Sequence, residues 1–196
     1  ITNDQLLGDE ASEANEAKEA KEATSIDIAL EKVEGKLVDA SGQFPELQLL
    51  AQGRSRFTGS PTASIANIRK AVEEHLNNSY VPVGEPFSYL RAVGTVTQSR
   101  GWRLALGIFN GQDLAPTPGG GVCQVSTTAY RAVVGAGLPV VKQSNHSIYV
   151  GYYAAYGDGL DATVFGTGYK DSEGLPSGKD LVFLNDTGYP LLIQAN

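Results

Sequence analysis

The chain has 196 residues, 41% of them apolar, with one cysteine, two histidines and a formal net charge of −7. That supplies one domain core plus an appendage, and no apolar stretch approaches the roughly 18 consecutive residues of a membrane-spanning helix. One cysteine excludes an internal disulfide, the histidine and cysteine counts exclude the common zinc spacings, and no basic stripe marks a nucleic-acid surface.

The charge is uneven. Residues 1–50 hold twelve acids and four bases, whereas residues 51–196 hold ten acids and eleven bases. The chain starts at Ile1 with no leader-like segment, the pattern expected of a processed or excised piece whose targeting sequence lies upstream. Residues 9–34, "DEASEANEAKEAKEATSIDIALEKVE", are rich in Ala, Glu and Lys, with little apolar surface before Ile26, Ile28, Leu30 and Val33. This composition predicts a solvated helix or a disordered spacer. Residues 1–55 are therefore expected to form an acidic helical or disordered linker, or the end of an upstream domain, with the folded domain over 56–196.

"SPTASIANIRKAVEEHLNN", 60–78, predicts an amphipathic helix with Ser60 as N-cap, Pro61 in the first turn, and Ile65, Ile68, Val72 and Leu76 on one face. A second helix is expected from about Val122 to Val134. "PVVKQSN", "HSIYVGYY", "DATVFG", "DLVFLND" and "PLLIQA" then read as successive strands, the last two joined by the turn residues "NDTGYP". The expected fold class is α+β: a cysteine-bearing helix packed on an antiparallel β-sheet, preceded by an amphipathic helix and an acidic N-terminal arm.

Cys123 follows Gly119, Gly120 and Gly121 and opens the second helix, where unpaired N–H groups and the positive end of the dipole favour an anion. The dipole is worth about 0.3–2 kcal/mol, which lowers a thiol pKa by roughly one unit at most. Full ionisation at neutral pH needs a histidine partner. Glycines without Cβ also let a carbonyl approach backbone N–H groups at Gly120, Gly121 and Val122 that can receive an oxyanion. A cysteine filling the core after a glycine turn is the competing reading. His75, in the last turn of the first helix, suits a surface or capping role. His146, downstream of the cysteine helix, is the candidate base. Asp161 leads into the next apolar run and suits either the group that fixes the imidazole tautomer or a turn carboxylate. Helix cysteine, strand histidine and next-strand aspartate is the element order of papain-like and transglutaminase-like thiol enzymes, a likeness of order that says nothing of substrate.

Gln124, Ser126 and Thr127 are further candidates for substrate contact, although hydroxyls in a first helical turn commonly bond the backbone. Tyr149, Tyr152, Tyr153 and Tyr156 crowd the His146 region and suit either packing or the wall of a groove, with Tyr152 singled out as a binding residue. "GLPSGKD" lacks the Walker spacing. Neither a metal nor a cofactor is expected.

From about Thr58 to Asn196 the sequence resembles the VanW domain family of Gram-positive surface proteins, through "ASIANIRKAVEEHLNNSYVPVGEPFSY", "GGGVCQVSTTAYRAVVGAGLPVV", "NHS", "GLDATVF" and "DLVFLND" followed by "YPLLIQ". The resemblance implies an extracytoplasmic protein at the cell surface or wall, membrane-anchored or exported at full length. It also implies an L,D-transpeptidase-like thiol acyltransferase acting on peptidoglycan stem peptides, with Cys123 as nucleophile and His146 as the histidine. A cysteine peptidase or carboxypeptidase on the same substrates, or a peptidoglycan-binding module without chemistry, are the alternatives. The chain departs from the family's pattern where an arginine often precedes the histidine, having Lys142 and Gln143 there, and in "YYAAYGDGL" before the aspartate motif.

Overall fold

A computed structural model of the chain describes residues 25–34, 46–109, 113–154, 159–166 and 177–196. The expected spacer over 9–24 and Tyr156 lie outside the described residues. So does the side chain of Tyr152.

Helices and antiparallel sheets combine in an α+β fold. Strands β1 (Ser25–Glu34) and β2 (Glu46–Arg56) pair along their length. β1 also pairs with β9 (Leu191–Ala195), and β9 with β3 (Ser79–Val81), giving the order β2-β1-β9-β3. The linker expected over 1–55 is therefore corrected at 25–34 and 46–55, which build half of the largest sheet. The physical reason lies in the alternation of Ile26, Ile28 and Leu30. These are buried side chains at a period of two, a strand signal that outweighs the helix-forming composition before it. A bulge leaves Leu50 unpaired between Ala51 and Leu49, and beyond it the next buried β1 residue is Val33.

Helix α1 spans Thr62–Arg69 and continues as wider π-type turns over Lys70–Leu76, closed by Asn77 N–H donating to Val72 O at 2.8 Å. Pro61 occupies the cap position, one residue later than the expected Ser60. The face of Ile65, Ile68, Val72 and Leu76 is buried as the periodicity requires. After β4 (Pro86–Ser88) comes a short helix α2 (Tyr89–Val93), whose Ser88 hydroxyl accepts from Arg91 N–H.

Strands β5 (Leu104–Phe109) and β6 (Asp113–Pro118) form a separate two-stranded hairpin. It feeds through the glycines into α3 (Val122–Gly135), which packs on β1 and β2. Gly53 in β2 makes that approach possible. A Cβ there would lie 2.1 Å from Thr128 O and 2.8 Å from Ala132 N. β7 (Val140–Lys142), β4 and β8 (Val182–Leu184) form a third small sheet in the order β4-β8-β7.

Two strand expectations change. "HSIYVGYY" forms no strand: its backbone turns toward Asp161 and ends in the short helix α4 (Gly151–Ala154). "DATVFG" contributes only an isolated bridge from Phe165 to Lys179. "NDTGYP" connects β8 to β9, which belong to different sheets. One buried cluster joins β1, α1, α3, β9 and the side chains of Trp102 and Tyr89.

Candidate active site

Cys123 sits in the first turn of α3, half-buried, below Gly121, whose φ of 111° lets the chain enter the helix from a left-handed turn. Two faces of the first turns divide the work. Gln124 and Thr128 face β2: Gln124 Nε2 donates to Arg56 O at 2.8 Å and to Ser55 Oγ at 3.3 Å, and the Thr128 hydroxyl lies 2.6 Å from that of Ser55. Cys123 and Thr127, four residues apart, face the extended segment 161–164. Thr127 Oγ1 accepts from Ala162 N–H at 3.1 Å, so the cysteine helix itself holds the segment that carries the aspartate.

His146 is carried by Asp161 rather than by a strand. The carboxylate accepts from His146 backbone N–H at 2.8 Å and contacts imidazole Nδ1 at 2.6 Å. The side chains are 7% and 18% exposed, so little solvent screening weakens the pair. With Nδ1 committed to Asp161, Nε2 is the nitrogen left for the Cys123 thiol, which lines the same cleft. Tyr153 packs its ring 5.7 Å from the imidazole, and the Arg131 guanidinium lies 6.0 Å from the Tyr153 ring centre.

The electrostatics favour an ion pair. Burial pushes the Cys123 thiol up, but the hydrogen bond and charge of His146, with Val164 and Thr163, outweigh it, and the thiol ends below its ordinary value. The sulfur accepts from Val164 N–H at 3.5 Å and lies 3.6 Å from the Thr163 hydroxyl. Burial pushes His146 down, but the sulfur and the Asp161 carboxylate raise it above the usual imidazole range. The opposite directions are those of a thiolate–imidazolium pair.

The site opens into a cleft of about 480 Å³, between the β5–β6 hairpin on one side and the 146–153 and 164–166 segments on the other. Its rim carries Leu106, Leu114, Tyr149 and Phe165, all strongly exposed. Gly119, Gly120 and Gly121 form the floor beside Cys123.

The structure thus brings together Cys123, His146 and Asp161, with Gly120 and Gly121 beside them. The other candidates are corrected. The N–H of Val122 already donates to Gly119 O at 3.0 Å, so that residue is a wall and the N–H of Cys123 is the better-placed donor. Gln124, although on the cleft floor, spends its amide on β2. Ser126 is fully buried. His75, expected in a surface or capping role, is instead half-buried, stacked on Trp102 at 5.5 Å with Nδ1 3.2 Å from Ala92 O, and burial lowers its pKa. Thr127, named for substrate contact, instead holds the 161–164 segment, and Tyr153, named for packing or a groove wall, packs on His146; Thr163 and Gln143 were missed. Gln143 Nε2 donates to Asp161 O and to Asn145 Oδ1, close to the place where an arginine was expected.

The model of the family described as VanW like protein matches residues 63–196. The chain belongs to the VanW family. It is 36% identical over 151 residues to the uncharacterized protein YoaR of Bacillus subtilis (strain 168), covering 76% of this chain and 44% of that protein. The chain therefore spans less than half the length of the curated relative it matches. No solved structure matches it. Within this VanW domain, the family match includes Cys123, His146 and Asp161 but begins after β1 and β2, the strands on which the cysteine helix rests.

Proposed function

We propose that this VanW domain is a cysteine-dependent acyltransferase of the cell surface, acting in the manner of an L,D-transpeptidase on peptidoglycan stem peptides. The observation that carries the chemistry is that Cys123 lines one open cleft with His146, whose imidazole is held by Asp161; the charge of His146 lowers the thiol pKa. The substrate class and the extracytoplasmic location rest on the family resemblance.

In this reading the Cys123 thiolate attacks the carbonyl carbon, forming a C–S bond and placing negative charge on the carbonyl oxygen. The Cys123 N–H makes no hydrogen bond to the described residues and receives that charge, in an apolar cleft where such a donor counts for more than in water. Collapse breaks the C–N bond. The leaving amine, D-alanine in this substrate class, takes the proton from His146 Nε2. An acceptor amine then attacks the thioester, His146 takes its proton, the C–S bond breaks and the thiolate is restored. Water in place of the amine gives hydrolysis by the same groups.

Two measurements test this. Iodoacetamide is expected to alkylate Cys123 rapidly between about pH 6 and 7, with His146→Ala slowing the reaction by tenfold or more. Incubation with purified muropeptides is expected to yield cross-linked dimers or lose alanine by mass. Identical product profiles for wild type and Cys123→Ser overturn the proposed substrate class. A slow thiol indifferent to His146→Ala leaves the domain as a binding module.

A further inference from the structure

We infer that the acyl donor of this site is an extended peptide that adds itself as a third strand to the outer edge of β5, at Leu106 and Ile108. The inference rests on the thiol chemistry proposed above and concerns how its substrate is held.

The pleat settles which groups face outward. Gly119 N–H donates to Arg103 O at 3.1 Å, and the register runs Leu104 opposite Pro118, Ala105 opposite Thr117 and Leu106 opposite Pro116. Every second pair from Arg103–Gly119 onward is therefore hydrogen-bonded, and the N–H and C=O of Leu104, Leu106 and Ile108 point away from β6. The prolines obey the same parity, since neither Pro116 nor Pro118 has an N–H to give. The outer edge of β6 is thereby stripped of two donors, whereas β5 keeps both groups of every outward residue. The N–H groups of Leu106 and Ile108 make no hydrogen bond to the described residues.

That edge lies on the cleft of the reacting sulfur. Leu106, Gly107 and Ile108 line the same cleft as Cys123, and a Cβ on Gly120 would lie 2.6 Å from Leu106 O, so β5 abuts the turn that delivers the cysteine. Main-chain pairing on such an edge supplies affinity, and alternate side chains supply selection. On one hairpin face Leu104, Leu106 and Ile108 stand beside Leu114, Pro116 and Pro118. Leu106 and Leu114 are 57% and 63% exposed, an apolar surface with no cover among the described residues. Alternate donor residues lie on that surface, and an apolar side chain is favoured there.

The experiment uses acetyl-Ala-Ala-Ala chloromethyl ketone, whose C–Cl bond breaks as the Cys123 thiolate forms a C–S bond and chloride leaves. The same peptide N-methylated at its central alanine, and iodoacetamide, serve as the other two probes. The peptide is expected to label Cys123 about tenfold faster than its N-methylated form. In the adduct, hydrogen exchange at the Leu106 or Ile108 amide is expected to slow at least tenfold relative to protein capped with iodoacetamide. Equal labelling rates with neither amide protected overturn strand addition. Labelling by iodoacetamide but not by the peptide overturns a peptide donor and leaves the thiol chemistry standing. Failure of all three probes overturns the thiol chemistry itself, and the inference with it.

Discussion

Replacing Asp161 by Asn keeps the size of the side chain and removes its charge. The carboxylate accepts from two N–H groups of His146, whereas a carboxamide presents one oxygen and one NH2, so one of those donors is left facing another donor. A hydrogen bond between an imidazolium and a carboxylate is worth about 1.5–3 kcal/mol, and both side chains are shielded enough for that range to apply. Its loss removes one of the contributions that raise the His146 pKa, so that pKa falls. The thiolate loses its partner in the same measure, and its pKa rises. The sign follows from the directions: a weaker imidazolium lowers the thiol pKa less, so in D161N the thiol ionises at higher pH and the acid limb of reactivity moves with it. The second-order rate of iodoacetamide labelling, followed by intact mass from about pH 4 to about pH 10, is expected to fall tenfold or more near pH 6 and to converge with wild type where both thiols are ionised. Superimposable profiles from two folded proteins would refute the assigned role of Asp161.

Gly53→Ala drives a Cβ into Thr128 O and Ala132 N, both backbone atoms that cannot swing aside. A loss of about 3 kcal/mol or more is expected, read as a fall in Tm of about 6–12 °C; an unchanged Tm would mean that β2 does not seat the cysteine helix. Asp180 is buried, receives the Ser88 hydroxyl at 2.7 Å and Leu90 N–H at 2.9 Å, and has its pKa raised, chiefly by desolvation. Its contribution to stability is fully present below its unfolded pKa and lost as pH rises through the folded one. Asp180→Asn is therefore expected to gain on wild type as pH is raised from about 3 to about 7 in urea unfolding, whereas Asp180→Ala strands two donors and loses about 2–4 kcal/mol. A wild-type advantage over Asn that grows with pH would contradict the desolvation argument.

The parts legible in the sequence were those governed by local rules. The 3.6-residue spacing of Ile65, Ile68, Val72 and Leu76 placed α1, and the glycines before Cys123 placed the start of α3. Asp161 was legible through its neighbours, as the carboxylate entering an apolar run, although its partner is a turn rather than a strand. The misses were non-local. Ile26, Ile28 and Leu30 form only a short alternation, and what makes them a strand is pairing with β2 and β9, one of which lies at the far end of the chain. Gln124 and Ser126 were read from their nearness to Cys123. A helix turns about 100° per residue, so adjacent residues face different neighbours, and these two meet β2 and the core. Thr163 and Val164 touch the sulfur from 40 and 41 residues away, a contact that no spacing rule reports.

The two prolines of β6 carry a consequence for how copies of the chain behave when concentrated. A ribbon with donors on both borders is a template for fibrils, because each arriving strand offers the next one the same invitation. Here one border lacks the groups needed to pass that invitation on. β5 of one copy therefore cannot pair fully with β6 of the next, and growth of a ribbon from hairpin to hairpin through β6 is disfavoured.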